Sequence, residues 1–369
     1  MIAAKTQTIP QLGLKSIGMT IGLLGCGVVG GGVASRLLET ETLLGVPVKL
    51  GRILVRDLHK PRQPQAAVPL LTIDPRDVLD DPDVHVVVEA IGGLEPARTF
   101  VEKALRAGKH VVTSNKALIA AHGAALSIVA QQHHAALRYE ASVAGAVPVV
   151  RTLAEVLAAE DVTEISGVLN GTSSYVLQRM RAGSSLEQAI HEAQVAGYAE
   201  IDPSDDLDGL DAARKLAVLA PLAFRRRIDA GTIARTSLRT LTPEHFERAR
   251  AARATIVPLS LLRKSHGARL EALVAPVLVP EDHEFARLRG PENTVRVAGT
   301  YSGTLRFSGH GAGREATASA VVSDLAEIAR RRARWQAQSI APIDFPETTA
   351  PAPRLRVLGD LPTYELHEG

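Results

Sequence analysis

The sequence predicts an α/β protein with a parallel sheet, and three observations carry that prediction. Short apolar runs alternate with helical periodicity over residues 19–140. One run, Val86-Val87-Val88, is the unbroken β-branched sequence that a sheet covered on both faces buries. A glycine-rich turn, Gly25-Cys26-Gly27-Val28-Val29-Gly30, joins the first strand to the first helix.

Taken in order, Met19–Leu24 reads as a strand, and the helical pattern after the glycine turn ends near Thr40. Val48–Val55 and Val84–Glu89 read as strands, Glu95–Ala107 as a helix closed by Gly108, and His110–Thr113 as the next strand. An alanine-rich helix runs through Ala135, followed by a strand at Leu137–Glu140. Beyond Ala141 the alternation changes. Pro148–Ala158 reads as helical, Val162–Leu169 as a strand, Leu186–Ala196 as a helix, and Leu210–Phe224 as a helix broken near Pro221. Strands are expected at Arg269–Val279 and Thr294–Ala298, and a last helix at Thr317–Ala333. Gln336–Gly369 is proline-rich and aperiodic, a tail or wrapping arm.

Composition narrows the class. A chain of 369 residues, 46% hydrophobic and 22% charged, suits a globular protein of about two domains. The net charge of +2 gives no field that would select nucleic acid or anionic lipid. The runs Arg225–Arg227 and Arg330–Arg332 read as solvated helix ends. A single cysteine, Cys26, excludes a disulfide framework within the chain and argues against cysteine-bound zinc. The first ten residues lack a secretion signal, and no apolar run reaches the ~20 residues of a membrane span, so the cytoplasm is expected.

The glycine turn points to a dinucleotide. Gly25 permits a tight turn, Gly27 lets the backbone approach a pyrophosphate, and Gly30 lets helix pack on strand, with the helix N-terminus facing the phosphates. At the end of the second strand stand Val55-Arg56-Asp57, with Lys60 and Arg62 beyond. Arg56 and Lys60 favour the 2′-phosphate of NADP; Asp57 keeps NAD open. Lys116, after the strand His110–Thr113, falls where parallel strands present ligand-binding residues.

The densest chemistry lies in Tyr198–Lys215. Six acids (Glu200, Asp202, Asp205, Asp206, Asp208 and Asp211) precede Lys215, and Asp211 and Lys215 share a helical face. A lysine held among carboxylates beside a nucleotide site can pass a proton, as oxidation of an alcohol requires. A calcium loop is rejected, because the closing glutamate would fall where Lys215 stands. Asp202 and Asp205 read as solvated loop acids, and a helix cap is expected at or near Asp208. The adjacent His133 and His134 point apart and form no ligand set.

These residues resemble the homoserine dehydrogenase family from about residue 18 to about 333. The matching stretches are Gly22–Gly30, Val55–Leu58, Glu89–Gly93, Thr113–Leu118, Tyr139–Gly145, Leu169–Thr172, Tyr198–Lys215 and Gly311–Gly313. The resemblance implies a Rossmann-type nucleotide-binding domain plus an α+β catalytic and dimerisation domain. Its reaction interconverts L-homoserine and L-aspartate 4-semialdehyde with NAD(P), on the route to threonine, methionine and isoleucine. It implies Lys215 as general acid/base, Lys116 as a second lysine at the reaction centre, Glu200 on the substrate amino group, and Asp206 and Asp211 holding substrate and Lys215. Gly313 would lie near the nicotinamide. A monovalent cation, usually sodium, would be held at Glu140, Val143, Gly145 and Val147, largely by carbonyls. A homodimer is implied too.

The expected division is a leader at 1–16, a dinucleotide domain at 17–140 completed by 305–335, a catalytic domain at 141–304, and a tail at 336–369. The stretch after Ala333 is too short for the family's ligand-binding (ACT-type) domain, so no in-chain threonine feedback is expected. Two other readings were open. A semialdehyde dehydrogenase needs a cysteine nucleophile outside the phosphate loop, and Cys26 is the only cysteine. A catalytically silent dinucleotide sensor of the same fold would be expected to have lost Lys215 or Glu200, and both are present.

Overall fold

The strand β1 (Met19–Leu24) is apolar and buried on both faces, so it must lie inside a sheet rather than at its edge. The computed structural model describes residues 18–265, 269–333, 346–353, 355–358 and 360–364. The expected leader, 1–16, lies outside them. Around β1 are the helix α1 (Val28–Leu38) and the strands β2 (Val46–Leu54) and β3 (Val84–Glu89). There follow α2 (Ala97–Arg106), β4 (His110–Thr113), α3 (Lys116–Gln132) and β5 (Leu137–Arg138). The five strands are parallel in the order β2-β1-β3-β4-β5. The chain reverses its direction of travel across the sheet beside β1, so the crevice outside the carboxyl ends of β1 and β3 is the ligand position.

The second sheet is antiparallel through β10-β9-β6-β7-β8, where β6 is Val162–Val168, β7 Ala254–Lys264, β8 Leu270–Pro280, β9 Glu292–Gly299 and β10 Gly303–His310. One face carries α4 (Gly171–Arg181) and α7 (Leu210–Phe224), both packed on β7. Between them in sequence lie α5 (Leu186–Val195) and the single turn α6 (Ser204–Leu207); α8 (Pro243–Ala251) leads into β7. The last long helix, α9 (Arg314–Ala333), returns to the first sheet and packs on α1.

That return accounts for glycines whose use the sequence left open. A Cβ on Gly31 would stand 2.4 Å from the carbonyl oxygen of Gln63, and one on Gly32 2.9 Å from the Arg314 side chain. The run Gly30-Gly31-Gly32 is therefore one contact surface, with each glycine admitting a different neighbour.

Two expectations are corrected, and several elements were not anticipated. α7 runs unbroken through Pro221, which lies inside the helix and leaves the Ala217 carbonyl without its intrahelical donor. β7, α4 and α8 were not anticipated. β7 was masked by Pro258, which argues against a central strand. Pro258 pairs with Pro276 of β8, and two opposed prolines can only form a non-hydrogen-bonded pair whose nitrogens face outward. Outward of Pro258 the pairing with β6 begins only at Ser260; outward of Pro276 the neighbouring short strands pair at Leu273–Val274 and at Leu278. Both prolines thus sit where no ladder bond is asked of them. Pro148–Ala158 contains only a short π-type turn at Thr152–Val156. The described part of the tail is ordered structure: β11 (Arg356–Leu358) and β12 (Leu361–Thr363) extend the second sheet beyond β8. Tyr364 lies buried across the outer sheet face against Leu259, Leu261 and Val277, and its hydroxyl donates to Glu164 at 2.5 Å. The expectation of an arm holds for this segment; 336–345 lies outside the described residues.

Candidate active site

The glycine loop has the geometry its spacing predicts. Gly25 has φ +97°, and a Cβ there would meet the Ala90 carbonyl oxygen at 2.6 Å. A Cβ on Gly30 would fall 2.1 Å from the Gly25 oxygen. By contrast nothing lies within 4 Å of a Cβ built on Gly27, so the backbone there faces open space at the N-terminus of α1. Val28 is exposed in the first turn, and Val29 is half-buried against the core of the first sheet. The donor set suits a dinucleotide pyrophosphate: an open glycine and the unpaired N–H groups of a helix start.

At the end of β2, Arg56 and Lys60 are exposed, while the Asp57 carboxylate accepts from the His59 backbone N–H at 2.8 Å and so shapes its own turn. Arg62, beyond Lys60, is tied down. Its guanidinium donates to the Cys26 carbonyl at 3.0 Å and to the Asp57 carbonyl at 2.9 Å, bridging the glycine loop and the end of β2. Burial pushes the Cys26 thiol up, and Arg62 and Arg314 pull the other way. Gly313, at φ +103°, stands at the start of α9.

The lysines and acids converge between the two sheets. Lys116 is the first residue of α3, and Asn115 caps that helix by accepting from the Leu118 N–H at 3.1 Å. Lys215 lies one turn after Asp211 on α7, and both are buried. Asp211 joins the lysines: Oδ1 is 2.8 Å from Lys116 Nζ, and Oδ2 is 2.6 Å from Lys215 Nζ. Lys215 Nζ also donates to the Leu169 carbonyl at 2.5 Å. Asn170 caps α4 and donates from its amide to Asp206 Oδ1 at 2.6 Å and Asp211 Oδ2 at 2.8 Å.

Charge follows from this wiring. Burial alone would raise the Asp211 carboxyl, but Lys215 and Lys116 outweigh it and hold it well below the usual carboxylate range. The Asp211 charge in turn raises Lys116, against burial. Asp206 is pushed up, first by burial and then by the Asp211 carboxylate beside it.

The remaining acids of Tyr198–Lys215 take different places. Asp202 accepts from Ser204, and Asp205 pairs with Arg214 at the surface. Asp208 bonds to Ser237 Oγ at 2.5 Å rather than capping α7; the cap position is Gly209, at φ +75°. Glu200 is not brought to the lysines. It is exposed in the loop after α5, and its carboxylate has no hydrogen bond or ion pair among the described residues. Thr172 Oγ1 holds the start of that loop through the Tyr198 carbonyl, and Ser173 Oγ holds the Asp206 carbonyl.

At the hinge, the Glu140 carboxylate accepts from the N–H groups of Val150 at 2.9 Å and Arg151 at 2.8 Å, while its own N–H donates to Asp324. Val143 and Gly145 are buried, and Val147 follows in the same loop. Gly145 is at φ +54°, and a Cβ on it would strike the Gly311 carbonyl group at 2.7 Å. Among the described residues no three or more His, Cys, Asp or Glu side chains gather as a metal would need.

Comparison with known proteins agrees with this geometry. Residues 25–140 match the family model described as "Homoserine dehydrogenase, NAD binding domain", and residues 148–326 match that described as "Homoserine dehydrogenase". The homoserine dehydrogenase of Bacillus subtilis is 38% identical over 313 residues, covering 84% of this chain and 72% of that one. That of Synechocystis is 40% identical over 314 residues, with the same coverage of both. The crystal structure of a homoserine dehydrogenase from Thiobacillus denitrificans superposes with a TM-score of 0.83 at 36% identity, covering 90% of this chain and 80% of that chain. With both sheets matched and the buried Asp211–Lys215 pair at their junction, this chain belongs to the homoserine dehydrogenase family.

Proposed function

We propose that the chain interconverts L-homoserine and L-aspartate 4-semialdehyde with a nicotinamide dinucleotide, Lys215 being the general acid/base. The observation that carries this reading is the occupancy of the Lys215 ammonium. It has three N–H donors; Asp211 takes one and the Leu169 carbonyl a second. The third remains for a substrate hydroxyl. When Lys215 is neutral, its two N–H groups can keep both partners and its lone pair takes that third direction. The same fixed side chain therefore accepts the hydroxyl proton during oxidation and returns it during reduction, without turning.

A bound nicotinamide supplies hydride acceptance or donation at the substrate carbon. Lys116, kept cationic by Asp211 and 39% exposed, stabilises negative charge developing on the substrate oxygen. Asp206 and Asp211 hold the polar wall. Glu200, exposed in the loop after α5, is assigned to the substrate amino group.

Further parts of the reading rest on the following. NADP is favoured over NAD because the Asp57 carboxylate is engaged with His59 while Arg56 and Lys60 are free to meet a 2′-phosphate. A sodium ion is assigned to the loop of Glu140, Val143, Gly145 and Val147, whose close-packed turn suits carbonyl ligation. The domain division is placed at residue 140, with the return of α9 completing the first domain; the expected boundary at 304 falls inside β10, so the second sheet runs on to His310. A homodimer through the second domain has support in β10, an edge strand with alternate residues exposed. No helix among the described residues is long and apolar enough to cross a membrane, and a cytoplasmic place in threonine, methionine and isoleucine synthesis completes the reading.

The test is absorbance at 340 nm with L-homoserine and NADP⁺ or NAD⁺, for the wild-type chain and Lys215→Ala. Turnover lost in Lys215→Ala with dinucleotide binding retained supports the reading. Dinucleotide binding without turnover in the wild type would leave the silent-sensor alternative in its place.

A further inference from the structure

We propose that Asn293 is a positioning residue for Lys215, acting through the Leu169 carbonyl. This rests on the reading of Lys215 as the acid/base.

The Leu169 carbonyl is one of the two fixed partners that leave the third direction of Lys215 open. A carbonyl at the end of a strand is aimed only as well as its chain is held. Leu169 directly follows β6, and its oxygen accepts from two buried donors: Lys215 Nζ at 2.5 Å and Asn293 Nδ2 at 3.0 Å. Asn293 lies on β9, 124 residues from Leu169 in the chain, and is 1% exposed. β9 pairs with β6 through Thr294 and Val168, so the adjacent residues Asn293 and Leu169 are brought side by side by register.

Two further observations show that the place is built around this amide. A Cβ on Gly311 would stand 1.9 Å from Asn293 Cγ, so residue 311 must be glycine for the side chain to fit. A Cβ on Gly171 would meet the Pro291 oxygen at 2.8 Å, so the turn after Leu169 is pressed against the segment entering β9. The other amide atom, Asn293 Oδ1, is buried and has no partner among the described residues. An orphaned buried acceptor is unfavourable, and an apolar side chain would avoid it. The donor at Nδ2 is what this position retains in exchange.

The device couples the second sheet to the proton path. β9 holds the carbonyl, the carbonyl and Asp211 hold the ammonium, and the ammonium's last donor is left for substrate. Loosening the carbonyl lets Lys215 turn about its Asp211 contact, so proton transfer slows, while the rest of the substrate is still held by groups other than Lys215.

The experiment compares Asn293→Asp, Asn293→Ala and Lys215→Ala with the wild type, in steady-state kinetics at 340 nm, in H₂O and D₂O, with dinucleotide affinity and Tm measured alongside. Asn293→Asp keeps the volume but sets a carboxylate oxygen against the Leu169 carbonyl; Asn293→Ala removes the donor and is the milder variant. The expected result is a fall in kcat of about 3- to 10-fold for Asn293→Ala, the scale of one lost hydrogen bond, and a larger fall for Asn293→Asp. KM for homoserine stays within about twofold, and the solvent isotope effect on kcat rises as proton transfer becomes limiting. A purely structural role would lower Tm and leave the isotope effect and kcat at wild-type values in Asn293→Ala; that result overturns the proposal. If Lys215→Ala retains turnover, the acid/base reading itself is what fails. If Lys215→Ala is inactive and both Asn293 variants match the wild type in kcat and isotope effect, the positioning role alone is wrong.

Discussion

Replacing Asp211 with asparagine tests the centre of the site with almost no change of volume. The carboxylate accepts from three donors: Lys116 on Oδ1, and Lys215 and Asn170 on Oδ2. Asparagine keeps one acceptor oxygen. Placed at Oδ2, it retains Lys215 and Asn170 as bonds to a neutral amide oxygen and sets an NH₂ against the Lys116 ammonium. The buried Lys215 contact changes from an ion pair to an ammonium–amide bond, a loss of roughly 1–2 kcal/mol. Lys116 is more than a third exposed and rehydrates, which limits its loss to about 0.5–1 kcal/mol. The sum of roughly 1.5–3 kcal/mol corresponds to a fall in Tm of about 3–12 °C at ~2–4 °C per kcal/mol. The effect on kcat is expected to be larger than bond loss alone, about 10²-fold, because both lysines lose the charge that aligns them. Calorimetry gives the first quantity and absorbance at 340 nm the second, with dinucleotide affinity unchanged as the control. An Asp211→Asn enzyme with kcat within threefold of wild type would refute the idea that this carboxylate organises the reaction centre.

Other consequences are as direct. Gly27→Ala is expected to leave Tm unaltered, since nothing lies within 4 Å of the added Cβ, yet to raise the dinucleotide KM at least tenfold by filling the pyrophosphate approach; Gly30→Ala, whose Cβ would strike the Gly25 oxygen, is expected to fail in thermal stability instead. Arg56→Ala is expected to raise the KM for NADP⁺ about tenfold and leave that for NAD⁺ unchanged, as measured by paired titrations. The fully buried Asp324 carboxyl is pushed up to about 7, by burial first and then by the Glu140 charge. Its folded-state value exceeds its unfolded one, so its contribution to stability falls as pH rises from about 4 to 7 and is constant above that. Asp324→Asn should therefore narrow the difference in Tm between pH 5 and pH 8, and an unchanged difference would count against a buried titrating carboxyl. Tyr364→Phe is expected to cost about 1 kcal/mol in urea unfolding by removing one of three buried donors to Glu164, the others being Arg296 and Ser166, whereas a tail that does not dock would show no change.

The candidate site was legible in sequence wherever it depends on neighbours along the chain. Gly25, Gly27 and Gly30 lie within one turn, and their spacing alone specifies strand, loop and helix. Asp211 and Lys215 are four apart on an alanine- and leucine-rich helix, so their contact follows from helical pitch. The solvated status of Asp202 and Asp205 followed from loop chemistry of the same range. Errors also had local causes. Pro221 was read by the rule that proline breaks a helix interior, and α7 continues through it; the strand around Pro258 was not anticipated, and its pairing with β8 reveals it. The tail read as aperiodic because its strands are three residues long and take their order from the edge of β8.

The nucleotide fold, the dinucleotide loop and the acid–lysine helix are each set by contacts within a few residues, where pitch and pleat leave little choice, and so could be read along the chain. That Lys116 meets Asp211 across two domains, that Arg62 bridges the glycine loop to the end of β2, that Asn293 reaches Leu169 and that Glu200 stands apart from the lysines follow from packing between distant segments. These pairings depend on sheet register and on α9 returning to α1, and a register shifted by one residue would turn the same side chains to the opposite face.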